Sequence, residues 1–316
     1  MSVAAEVLRP FWLKGINNIS GKSTSSFKAW LADGNYFFQE VDVNNKLVFV
    51  PVNFDEMMQS VAHDINRMSI AAIETIHGAL NPNEITRSSA WALIRSYYAS
   101  FFASHALCRI FCLIIPMIDQ LQSNKLNQAI KSSGWLGQVN YVTNDLYRVE
   151  IDHQNNIFRL LKLTKGSHES LWKEFGNLLL DLEDKILLNI NVGTTSDRQD
   201  TVMLLRSIRN IIQSEHCTHN SNWLSYIRNN LNYRHDYGAW FPHDRSSKFR
   251  SSFTECTKNW KKDPLNLVSY SESQNIIKFS KGCILIVSLL HELILELEKR
   301  NHDNDSFLKY GVFHIL

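Results

Sequence analysis

Between Trp91 and Leu107 the chain carries the pattern that most restricts its fold. At about 100° per residue, Ala92, Ser96, Ala99, Ala103 and Ala106 share one face of a helix, while Trp91, Arg95, Tyr98, Phe102 and His105 share another. A face of small residues lets a second helix approach closely, and an aromatic face fills volume. Core packing is one reading of the aromatic face; a working role for Arg95 or His105 is the other.

Helical spacing recurs along most of the chain. It predicts helices over Phe54–Leu80, ending near Gly78 with Pro82 beyond, and over Ile85–Ile115, stopped at Pro116. Further helices are expected over Ser167–Ile190, Thr201–Ser214, Trp223–Arg234 and Ser271–Arg300. Two stretches break this habit. Asn35–Val43 and Leu47–Phe54 are aromatic and β-branched around Asn44-Asn45-Lys46, and the first fifty residues read as β-rich. Leu146–Ile151 and Ile157–Leu163 form a second hairpin pattern about Asp152–Asn156. The expected fold class is mainly α: an antiparallel helical bundle with β-hairpin additions. A small β-rich segment, 1–54, would precede a helical domain, 55–316.

Charge narrows the function. Lys and Arg number 33 against 31 Asp and Glu, so the chain is no general nucleic-acid coat, and any such contact must be local. Positive charge gathers around 228–250. Five cysteines without paired spacing point to free thiols in a reducing compartment. Met1–Lys14 has no signal-peptide core, and the apolar runs Ile110–Ile118 and Cys283–Leu290 are too short to span a bilayer, so a cytoplasmic protein without membrane contact is expected.

Three arginines precede a histidine by a short interval: Arg148 and His153, Arg209 and His216, Arg228 and His235. Chance supplies about one or two such pairs in a chain of this composition. The first pair spans a strand at an odd offset, which puts the two on opposite faces. The other two have an offset of seven, two helical turns, and point the same way. Asn232 lies between Arg228 and His235, and Arg234 adds a charge. A guanidinium can hold a phosphodiester through two hydrogen bonds, and an imidazole can move a proton at neutral pH. With an RNA 2′-hydroxyl as nucleophile, no metal and no cofactor are required. The competing reading has Arg228 and Asn232 tying helices together and His235 capping a helix end.

The segment Arg95-Ser96-Tyr97-Tyr98-Ala99 through Leu107 resembles the early helix of the HEPN superfamily, and Arg228-Asn229-Asn230-Leu231-Asn232-Tyr233 resembles its late helix. Arg228 and His235 also fit the Arg–x(4–6)–His pattern of that superfamily's ribonucleases, as do Arg209 and His216. The resemblance covers roughly 55–300. It implies a four- or five-helix bundle that dimerises, with metal-independent RNA cleavage, and toxins or effectors of bacterial antiviral defence with a partner protein from the same operon. Arg228, His235 and Asn232 would be catalytic, Asn229, Tyr233 and Arg234 would bind substrate, and Arg209 with His216 would be the second-choice pair. Other branches are non-catalytic modules that bind a protein or nucleic acid.

Two more clusters are weighed. His216-Cys217-Thr218-His219 offers soft ligands but lacks a second ligand pair at finger spacing, so no metal site is expected. Tyr237, Trp240, Phe241, Pro242, His243, Arg245, Lys248 and Arg250 mix aromatic and basic groups, as single-strand binding surfaces do; a hydrophobic turn with a solvated tail explains them equally.

Overall fold

The computed structural model describes residues 2–80, 89–213, 222–234, 236–241, 258–268 and 275–316. Within these the protein is mainly helical, with one five-stranded antiparallel sheet. Two short helices, α1 (Val3–Leu8) and α2 (Phe27–Asp33), open the chain. The part of the expected β-rich segment before Tyr36 therefore carries helices instead. The Ser26 hydroxyl caps α2 and Gly34 ends it at φ +77°, local signals that outweigh the neighbouring aromatics.

Strands β1 (Tyr36–Val41) and β2 (Leu47–Pro51) form the expected hairpin. Asn45 takes the left-handed conformation, and the Asp42 carboxylate accepts the N–H groups of Asn44 and Lys46. Helix α3 (Phe54–Leu80) has the predicted bounds; the Asn53 side chain accepts from the Asp55 and Glu56 N–H groups at its start. Helix α4 (Ala90–Ile110) is shorter than the predicted Ile85–Ile115. Cys112 adopts φ +67°, and Leu113–Ile114 form β3 instead of a last helical turn. A short apolar run serves a buried strand as well as a helix, and here a free sheet edge takes it. Helix α5 (Gln120–Ser132), set by an Asp119–Gln122 capping box, carries few apolar residues and no prediction marked it.

The second hairpin is as expected, with β4 (Tyr147–Asp152) and β5 (Ile157–Lys162) around a left-handed Asn156. Strand order is β1-β2-β5-β4-β3. Phe49 opposes Phe158 across β2 and β5, their rings stacked at 5.2 Å. The N-terminal hairpin thus shares one sheet with the hairpin near 146–163, and α2 covers it through Phe27 and Trp30.

Helices α6 (Ser167–Leu188), α7 (Thr195–Ile212), α8 (Trp223–Asn229) and α9 (Asn275–Lys299) complete the helical part. Helix α7 starts before the predicted Thr201 because Thr194 and Asp197 make a capping box. The predicted helix Trp223–Arg234 is α only to Asn229; Asn230–Arg234 is a π turn. The small face of α4 behaves as expected. Ser96, Ala99, Ala103 and Ala106 are fully buried, and α4 packs chiefly against α3 and α9. Its aromatic face is only half-buried at Tyr98, Phe101 and Phe102, and this places the site.

Candidate functional site

The two stretches singled out by their sequence meet in one chain. Arg228, on α8, lays its guanidinium carbon 5.2 Å from the Tyr97 ring centre and 5.8 Å from that of Tyr98, on α4. Its residue is only 8% exposed. Among the described residues no carboxylate pairs with it, and its buried Nε has no hydrogen-bond partner. Cation–π contact returns about 0.5–2 kcal/mol, whereas an unpaired buried charge costs several. The guanidinium is therefore short of an anion.

The Tyr97 hydroxyl organises the neighbourhood. It accepts from Trp172 Nε1 at 3.1 Å and lies 2.8 Å from His168 Nδ1 and 2.7 Å from Ser225 Oγ. A hydroxyl has one proton, so either His168 or Ser225 must donate to it. Burial pushes the Tyr97 hydroxyl up and keeps it protonated. Burial, with the charge of Arg228 added, pulls His168 down to about 4, so its imidazole is neutral at pH 7.

The other expected site residues divide. Asn229, Tyr233 and Arg234 are exposed, Tyr233 by 70%, and Asn232 is half-buried. No hydrogen bond joins Arg228 to Asn232 among the described residues. The same-side argument for the seven-residue offset assumed an α-helix throughout, and the π turn changes that phase. His235 and His216 lie outside the described residues, as do Cys217, His219 and the cluster Pro242, His243, Arg245, Lys248 and Arg250. Arg209 is occupied: its Nε and Nη2 hold the buried Glu183 carboxylate at 2.9 and 3.2 Å. Arg148 holds Glu174 at 2.7 Å and Glu150 at 2.8 Å. Arg95 donates to the Gly78 carbonyl. Trp240 packs edge-on against Trp91 at 5.5 Å and donates to the Leu231 carbonyl, anchoring the chain after the π turn, while Phe241 is exposed.

Sequence reasoning missed His168, Ser225 and Trp172. His168 is in the first turn of α6, where nothing local marks it. Tyr98 and His168 also form part of the wall of a cleft of about 660 Å³ that includes Phe101, Phe102, His105 and Arg109. His105, deep in that wall, is pulled well below the ordinary imidazole range by burial and by Arg109, whose Nη1 donates to the His105 carbonyl at 2.8 Å.

Among the described residues no group of three or more His, Cys, Asp or Glu is placed to hold a metal ion, and no helix is long and apolar enough to cross a membrane. No protein-family model matches the chain, and neither does any curated protein or solved structure.

Proposed function

We propose that this protein is a metal-independent endoribonuclease of the HEPN type, built as a helical bundle, dimeric, and acting as a toxin or effector in bacterial antiviral defence. The observation that carries this reading is the buried guanidinium of Arg228, set on Tyr97 and Tyr98 and, among the described residues, without a carboxylate partner. Structural arginines in this protein look different: Arg148 and Arg209 each hold a buried glutamate. An arginine kept free of carboxylates is available to a phosphate.

In this mechanism Arg228 holds the scissile phosphodiester and offsets charge gained in the transition state. The ribose 2′-oxygen attacks phosphorus and its proton passes to His235, while the bond from phosphorus to the 5′-oxygen breaks and that oxygen takes a proton from solvent. The products are a 2′,3′-cyclic phosphate and a 5′-hydroxyl. Asn232 orients the substrate or the histidine, and Asn229, Tyr233 and Arg234 supply exposed contacts to the RNA.

The test is cleavage of labelled single-stranded RNA in EDTA by the purified full chain. Arg228→Ala and His235→Ala should each lower the rate by about 100-fold or more. Arg228→Lys keeps the charge but loses the fork, and should also fall while circular dichroism stays unchanged. His216→Ala should retain cleavage. RNA left intact by the wild type under all conditions, including with a protein encoded beside it, sinks the enzyme. That outcome would leave the non-catalytic reading, a helical module that binds a partner protein or nucleic acid, for which the depth of Arg228 in the fold speaks.

A further inference from the structure

The cleft beside Tyr98 and His168 combines cations with an aromatic wall. Its volume, about 660 Å³, falls within the roughly 300–1,000 Å³ typical of small-molecule sites. Among the described residues its cations are Lys28, Arg67 and Arg109, and its single carboxylate is Asp64. Lys28 is bound to Asp119 outside the cleft at 2.8 Å. Arg67 and Arg109 are left to share Asp64, at 3.6 and 3.7 Å, both too long for good hydrogen bonds. One positive charge is in excess.

Two further features point to an anion. Arg109 is 3% exposed, and its Nε is buried without a partner. Helix α6, 22 residues long, starts at this cleft with Ser167 and His168, and no side chain caps it. Its first N–H groups and the positive end of its dipole are therefore free for an anion. The rest of the lining suits an aromatic body. Tyr98, Phe101 and Phe102 are half-buried and line the cleft. Nδ1 of His63 is engaged with the Ser23 carbonyl and Nδ1 of His168 with the Tyr97 hydroxyl, which leaves one ring nitrogen of each for a ligand.

We propose that this cleft is a binding site for a nucleoside phosphate, with Arg67, Arg109 and the start of α6 holding the phosphate and Tyr98, Phe101 and Phe102 packing against the base. The phosphate displaces the loose contact between Arg67 and Asp64 and gives Arg109 a second, closer anion than the shared Asp64. The base replaces water on the aromatic wall, where stacking contributes about 1–3 kcal/mol per base. The site stands apart from Arg228, which is not in the cleft lining, and it does not depend on ribonuclease activity. His168 touches both, through the cleft on one side and the Tyr97 hydroxyl on the other.

Calorimetric titration of the full chain with adenosine 5′-monophosphate tests the site. One-to-one binding is expected, with adenosine and inorganic phosphate each at least tenfold weaker. Arg67→Ala, whose side chain is 54% exposed and so removable without harm to the core, should weaken the nucleotide about tenfold. Phe102→Leu should weaken adenosine 5′-monophosphate and adenosine alike while leaving phosphate unchanged. Absence of heat and of thermal stabilisation with all four ribonucleoside monophosphates at about 5 mM overturns the proposal, as does Arg67→Ala that binds like the wild type. A 5′-phosphorylated trinucleotide separates two sources of the same chemistry. Binding equal to the mononucleotide assigns the site to RNA ends, and binding lost assigns it to free nucleotides. A mononucleotide has no internucleotide bond to cleave, so this result is independent of whether RNA is cut.

Discussion

Two histidines give the residue scale a measurable signature. Burial keeps His105 well below the ordinary imidazole range, and burial with the Arg228 charge keeps His168 at about 4. In the unfolded chain both titrate near pH 6.5. Between about pH 6.5 and 4 the unfolded state therefore binds more protons, so stability falls as pH falls through that window. His77, pulled down by burial and by Lys261, acts in the same sense. The carboxylates Asp119, Asp145, Asp152 and Asp197 are held below their ordinary value of 3.8 and lose their contribution only at lower pH. Melting temperature should decline from pH 7.5 to 5, and His168→Gln should flatten the decline. A melting temperature constant over that range would show that these imidazoles are not held neutral. Arg228 shows the complementary effect: its cation, set on the Tyr97 and Tyr98 rings, adds to burial in keeping the neighbouring His168 unprotonated.

At the scale of elements, Gly282 marks a close approach between α9 and α7. A Cβ built on Gly282 would stand 2.6 Å from Cγ2 of Ile211. Alanine is ordinarily the better helix residue by about 1 kcal/mol. Overpacking costs about 1–3 kcal/mol, so here the clash wins, and Gly282→Ala should destabilise by about 1–2 kcal/mol in urea unfolding. Ile211→Ala removes the opposing methyl, so the double variant should lose less than the two single variants together. Strict additivity would mean that the helices separate freely. Such packing is invisible in a single chain read in order, and the same boundary runs through the rest of the fold. Helix α3 was legible because its apolar spacing persists over 27 residues. Both hairpins were legible from turn chemistry at Asn45 and Asn156. Helix α5 is mostly polar, and β3 is the end of an apolar run; for both, position is set by what lies beside them. In the site, Arg228 and Tyr97 stood out within their own segments. His168, Ser225 and Trp172 lie 71, 128 and 75 residues from Tyr97, and only folding brings them to its hydroxyl.

At the scale of the whole molecule, the question is whether residues 1–54 form a unit apart from 55–316. Strand β2 sits between β1 and β5, so the sheet is not complete without it. Helix α1 packs on α7 and α9, and the Leu13 N–H donates to the Ile110 carbonyl at 2.7 Å, at the end of α4. Near the other end of the chain, the Phe307 N–H donates to the Ile19 carbonyl and the Asn301 side-chain amide donates to the Asn17 backbone carbonyl. Leu8, Leu13, Ile16, Phe27 and Phe49 are all fully buried. At about 1.5–3 kcal/mol each, their loss amounts to roughly 7–15 kcal/mol. That matches the entire stability of an ordinary domain, about 5–15 kcal/mol, before the exposed edge of β5 is counted. The segment is thus part of the core. The full chain should unfold in one calorimetric transition whose van't Hoff and calorimetric enthalpies agree, and the fragment 55–316 should show no cooperative transition when produced alone. A fragment that melts cooperatively at nearly the temperature of the full chain would restore the division into two units. It would also mean that the sheet contacts of β2 contribute far less than their burial indicates.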